Sequence, residues 1–213
     1  LLGSAAPLSC VICGRAMPTP APYPLCVACA AALPRIRAPR CSRCGKGLIS
    51  EDGLCMRCRR SAYDFDAAYP LFMYAAAAKE LVQAYKLGGR RSLGLFLAAE
   101  LEGAYRGRWD GLTIVPVPPS PGKLRKKGWD QVATIAAALK ARGLPVKALL
   151  RRAPGGAAQK SLDFAGRAAN LSGRILPRRG RRPRIVRGES FVLLDDVLTT
   201  GATLSECAKV LKA

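Results

Sequence analysis

The sequence predicts an α/β domain built on a central, mostly parallel sheet, with a small cysteine-rich module in front of it. Three observations predict this. Eight cysteines in regular pairs crowd the first 60 residues, two later apolar runs each lead through a loop into a helical pattern, and the second run ends in two carboxylates. Strand, loop and helix in that order, repeated, is how a parallel sheet is wound, and functional groups collect at the carboxyl ends of its strands.

The cysteines come first in the chain. Cys10/Cys13, Cys26/Cys29, Cys41/Cys44 and Cys55/Cys58 all have Cys-x-x-Cys spacing. Two thiolates three positions apart on a tight turn can share one metal, and two such turns complete a tetrahedral zinc site. Sequential pairing gives two modules, each with two knuckles about a dozen residues apart. Interleaved pairing stays open, and disulfides are the rival reading; the regularity of the pairs and the lack of an export signal favour metal. Gly14 and Gly45 follow the second cysteine of a pair, where a left-handed residue closes such a turn. With no histidine in the chain, every ligand is a cysteine and no open catalytic position is implied. One or two structural zinc ions are therefore expected. Residues 1–60 hold few large apolar side chains and many prolines, so the metal supplies most of their folding free energy.

Residues 61–213 form the second domain. Residues 67–74 read as a strand that Pro70 demotes to an edge. Residues 76–87 read as a helix with Leu81, Val82 and Tyr85 on one face and Lys86, suited to the helix dipole, near its end. A second amphipathic helix covers 93–105. The run 112–118 is a buried strand that stops near Pro116. A basic loop, 123–131, follows it and leads into a helix at 130–140. A cationic loop there can grip a pyrophosphate, or it is a solvated turn.

Residues 174–187 hold seven arginines with glycine and two prolines, a polycation able to track a phosphate backbone or a solvated linker. Then Phe191-Val192-Leu193-Leu194 delivers Asp195 and Asp196 at the end of a buried strand, and Thr199-Thr200-Gly201-Ala202-Thr203 opens a helix. Backbone N–H groups at a helix start, a permissive glycine and threonine hydroxyls suit a phosphate monoester. Two adjacent carboxylates suit paired hydroxyls or a metal. Together they describe a ribose 5-phosphate; in the plainer alternative the carboxylates only cap the helix. Cys207, further along that helix, reads as a small buried hydrophobe rather than a nucleophile.

Lys and Arg total 35 against 14 Asp and Glu, a net charge of +21 that attracts polyanions, nucleic acid included. No apolar run reaches the about 18 residues of a membrane span. The start at Leu1 lacks a basic n-region, so a cytoplasmic protein is expected; both termini, the second inside an apparent helix, are expected to be incomplete.

The 191–204 run resembles the binding motif for phosphoribosyl pyrophosphate (PRPP) in type I phosphoribosyltransferases. In order along the chain, the four knuckles, Ile114-Val115-Pro116-Val117-Pro118, the element ending at Gln131, Arg151-Arg152 with Gln159, Arg167 with Asn170 and the Asp195 run are similar to ComF-type competence proteins. That family joins a zinc ribbon to a type I phosphoribosyltransferase-like domain and is implied in uptake of single-stranded DNA. The resemblance implies PRPP with magnesium as ligand. Asp195 and Asp196 would hold the ribose diol, while Thr199, Thr200, Gly201, Ala202 and Thr203 hold the 5-phosphate. Lys127, with Arg151 or Arg152 from a flexible hood, would neutralise the pyrophosphate, and Lys86 is a further phosphate candidate. Single-stranded DNA and a competence helicase or other uptake proteins are the implied partners. The chain departs from the family at Lys127-Gly128-Trp129-Asp130-Gln131, where Arg-Gly-Phe-Asn-Gln is usual, and at Gly156, where a threonine is usual. The second change removes a hydroxyl from the hood and bears on turnover more than on binding. An accessory protein that binds single strands or senses PRPP without catalysis is the alternative.

Overall fold

The computed structural model describes residues 8–154, 173–178 and 188–213. In chain order the elements are α1 (Val27–Ala31), α2 (Met56–Arg59), α3 (Ala76–Lys86), α4 (Leu93–Arg106), β1 (Thr113–Pro116), α5 (Pro121–Lys127), α6 (Gln131–Ala141), β2 (Leu150–Arg152), β3 (Ile175–Pro177), β4 (Phe191–Leu194) and α7 (Ala202–Lys212). β1 and β4 pair in parallel, with Ile114 opposite Val192 and Pro116 opposite Leu194. A parallel bridge from Ile114 to Val146 occupies the other edge of β1. β2 and β3 form an antiparallel pair.

Successive residues of a strand face opposite sides, and β1 shows what that does. Ile114 enters a core with Leu81 and Tyr85 of α3, Phe96 of α4 and Ile135 of α6. Val115 enters a second core with Leu150, Ile175, Cys207 and Leu211. The parallel strands are thus covered on both faces, by α3, α4 and α6 on one and by α7 on the other, as the continuous apolar runs predict. The α/β class with a parallel sheet stands on this.

The two cysteine modules dock in different places. Cys10, Leu25, Cys29 and Leu33 join the first core, Tyr23 meets Phe96 edge-on at 5.5 Å, and Arg35 forms a two-pronged pair with Glu100 of α4. Cys41, Cys44, Cys55 and Cys58 form their own cluster with Leu48, Leu54 and Tyr63.

Two expectations are corrected. Residues 67–74 are not a strand; they make one bridge, Arg35 to Phe72, and otherwise run as an irregular connector. Two of their rings meet cations instead of a strand partner: Tyr69 lies between the guanidinium groups of Arg40 and Arg108, 4.0 and 4.1 Å away, and Phe72 beneath that of Arg35 at 5.2 Å. The basic stretch after β1 is not a loop throughout, because Pro121 starts α5 and Gly128, at φ +70°, ends it.

Candidate anion site and metal centres

The eight paired cysteines fall into two groups, Cys10/Cys13/Cys26/Cys29 and Cys41/Cys44/Cys55/Cys58, each with its sulfurs within 4.8 Å of one another. Sequential pairing is the arrangement found, and all nine cysteines are free thiols. Gly14 and Gly45 take φ of +70° and +69°, closing the first knuckle of each group. Burial pushes the Cys10 thiol up, but N–H groups of Cys13, Cys26 and Ile12 outweigh it and bring it down to about 6. Cys41 is brought down to about 6 in the same way by Cys55, Cys44 and Arg43. Burial and the neighbouring sulfurs push Cys29 up to about 12. Four thiols this close cannot all ionise unaided, and a divalent, sulfur-preferring cation relieves that repulsion, so both groups fit structural zinc.

β4 ends at Asp195 and Asp196, whose surroundings differ. Lys86 Nζ, on the last turn of α3, lies 2.8 Å from both carboxylate oxygens of Asp196. Asp130 is close by: burial holds its carboxyl above the usual value, and Asp196 adds to this, against N–H groups of Ala133 and Val132. Asp195 accepts from the Asp196 N–H at 2.8 Å and is felt by Arg152 and Cys207 on the α7 side. The sheet's alternation therefore gives one carboxylate to each face.

Beyond them, Gly201 at φ +82° precedes α7 and supplies no side chain to cap it. The first-turn amides of α7 have no helical acceptors, and Ala202 N–H alone makes a long bond, 3.4 Å, to Thr200 Oγ1. A cleft of about 1050 Å³ runs from Asp195, Asp196 and Thr199 along β4 to Leu81 and Leu101.

Lys127 stands at the end of α5 with its Nζ 3.4 Å from the Lys86 carbonyl, so the basic segment meets α3 beside Asp196. Trp129 packs edge-on against Tyr85 at 5.1 Å, and Tyr85 donates to the Gln131 carbonyl at 2.7 Å. Gln131 Nε2 is buried and has no hydrogen-bond partner among the described residues, a donor turned inward near these residues. Arg151 and Arg152 are in β2, each with a buried Nε that has no partner among the described residues; burial lowers the pKa of Arg152. Gly156, Gln159, Arg167, Asn170 and the arginines from 179 to 187 lie outside the described residues. Cys207 is fully buried, and burial pushes its thiol up to about 12, which fits a packing role.

Two contacts were not foreseen from the sequence. Lys86 and Asp196 are 110 positions apart, and Arg57, between Cys55 and Cys58, donates from Nη1 to the Thr199 carbonyl at 2.8 Å across 142 positions. The only sequence signal for the first is a lysine at a helix end just before Gly88-Gly89.

Residues 1–59 match the family model of the double zinc ribbon domain. The chain is 24% identical over 227 residues to the competence protein ComFC of Streptococcus pneumoniae (strain ATCC BAA-255 / R6), covering 96% of this chain and 94% of that protein. No helix among the described residues is long and apolar enough to cross a membrane.

Proposed function

We infer that this chain, a ComF-family protein with an amino-terminal double zinc ribbon, binds PRPP with magnesium at the carboxyl end of β4 and serves DNA uptake in natural competence. One observation carries the reading. An adjacent carboxylate pair directly follows a parallel strand that is half-buried up to its buried last residue, Leu194, and a glycine-started helix with uncapped amides follows five residues later. A ligand with a vicinal diol and a phosphate matches those two halves.

The proposed domains are residues 1–60 and a phosphoribosyltransferase-like 61–213. Asp196 and Asp195 take the ribose hydroxyls, while Thr199 to Thr203 donate to the 5-phosphate. Lys127 and Lys86, with Arg151 or Arg152, offset the pyrophosphate charge. Lys86 must first leave Asp196, and the ligand's own phosphates give it somewhere to go. Oxygen ligands of this kind suit magnesium, which would enter with PRPP and add positive charge at the leaving group. Transfer would form a bond from an acceptor nucleophile to C1 as the C1–O bond to pyrophosphate breaks and pyrophosphate leaves, with positioning and charge as the chain's contribution.

The test is calorimetric titration of the zinc-loaded chain with PRPP. Magnesium-dependent, saturable binding is expected, weakened more than about tenfold by Asp196→Asn. Unchanged affinity in that variant, or no binding by the parent chain, overturns the reading.

The charge of +21 supports a second role, binding single-stranded DNA. Arg90, Arg91, Arg125 and Lys126 are exposed on the segments that carry Lys86 and Lys127. An oligonucleotide titrated across a salt series should lose affinity steeply as salt rises, and a flat response removes this role.

A further inference from the structure

The second cysteine module touches the anion loop at several points. Arg57 is flanked in sequence by Cys55 and Cys58, so metal binding by those two thiols fixes the backbone from which its guanidinium reaches the Thr199 carbonyl, 2.8 Å away. The chain leaving the module continues the contact. Tyr63 and Phe65 stack at 4.8 Å, and a Cβ placed on Gly201 would lie 3.0 Å from Tyr63 Cε1 and 3.3 Å from Phe65 Cε1. The paired rings are therefore a wall against which the left-handed glycine is set. Next in sequence, Asp64 locks onto the first turn of α7: its N–H donates to Ser205 Oγ at 2.8 Å, and Ser205 Oγ–H donates back to its carboxylate at 2.6 Å. Asp66 then pairs with Lys212 at the far end of the same helix.

Four successive contacts, from Arg57, the ring pair, Asp64 and Asp66, span the loop and α7 from start to end. Among the described residues, the first cysteine module makes no hydrogen bond or ion pair with that loop; it packs into the core of α3, α4 and α6. Orphan amides bind an anion well only when they are held pointing at it, because ordering them during binding subtracts from affinity.

We propose that Arg57 is a positioning residue for the anion loop, and that through it the metal held by Cys41, Cys44, Cys55 and Cys58 sets the affinity of Thr199 to Thr203 for phosphate. The first metal has no such role. The proposal rests on the phosphate reading of that loop for its second half only. Its first half, a loop ordered from the cysteine module, stands independently of any ligand.

The experiment uses the full zinc-loaded chain and its Arg57→Ala and Arg57→Lys variants. Zinc content, amide hydrogen exchange and PRPP titration are measured on each. Arg57 supplies no thiol, so two zinc ions per chain are expected throughout. In Arg57→Ala, the amide of Ser205, which donates to the Gly201 carbonyl of the loop at 2.9 Å, should exchange about tenfold faster while those of α4 and α6 keep their protection. PRPP affinity should fall about fivefold to tenfold, the loss of one charge-assisted hydrogen bond, with partial recovery in Arg57→Lys. Unaltered exchange at Ser205 in Arg57→Ala overturns the proposal. So does loss of zinc in that variant, since the effect would then be unfolding of the module. If exchange responds but the parent chain binds no PRPP, the positioning role stands and the phosphate reading falls.

Discussion

Lys86 and Asp196 allow the sharpest test of the electrostatics at the head of β4. Their side chains are 27% and 14% exposed, so the pair is screened less than a surface salt bridge yet not cut off from water. At 2.8 Å and an effective dielectric constant of about 20, the gross attraction is about 4–6 kcal/mol. Dehydrating both groups consumes most of it, leaving a coupling of about 1–2 kcal/mol. Lys86→Met leaves Asp196 beside Asp130 without the ammonium it pairs with at 2.8 Å, a cost of about 2 kcal/mol. Adding Asp196→Asn to that background should then cost far less than it does alone. Urea titrations of the zinc-loaded chain, both single variants and the double variant close the cycle. A coupling below about 0.5 kcal/mol would show that the ammonium sits at Asp196 without stabilising it, and the argument that a ligand must displace it would fail.

Two further outcomes follow from the same residues. Asp130 caps α6 through the Val132 N–H, and its carboxyl is held above the usual value by burial and by Asp196. A raised value means the folded state binds the proton more tightly, so the native chain gains stability as pH falls through it and bears the charge above it. Asp130→Asn keeps the cap and should raise the melting temperature at pH 7, with the advantage shrinking toward pH 4; an equal effect at both would discard the charge argument. Cys207, fully buried, should stay unreactive to thiol reagents until global unfolding, and Cys207→Ser should cost about 1–3 kcal/mol by burying an unpaired hydroxyl. Prompt labelling of Cys207 in the native chain would contradict this.

The strands that matter were readable because their residues leave little choice. Thr113–Pro116 and Phe191–Leu194 are apolar and short, and prolines or carboxylates stop them. The knuckle spacing likewise gave the metal groups, though which knuckles pair depends on how the chain folds back, and the spacing does not fix that. Residues 67–74 carry Tyr69 and Phe72, good strand formers, but Arg40 and Arg108 offer the Tyr69 ring, and Arg35 the Phe72 ring, flat cationic partners away from any sheet. Tertiary contact overrode propensity there. In α5 the signals were present, a proline at its start and a glycine just beyond its end; its run of cations drew attention to charge instead. Lys86 with Asp196 and Arg57 with Thr199 join residues more than 100 positions apart, and no local pattern encodes such meetings.

The two cysteine groups differ in cover. All four thiols of the second are buried, whereas in the first Cys13 is exposed and Cys26 half-buried. A chelator or an oxidant meets the first group through an open door and the second only after the module loosens. Loss of metal should therefore come in two stages: an early one that loosens the packing on α4 and spares the anion loop, and a late one that takes the loop with it. In a cell short of zinc or under oxidative stress, the chain would keep the loop of residues 199–203 in place through the first of these losses and surrender it at the second.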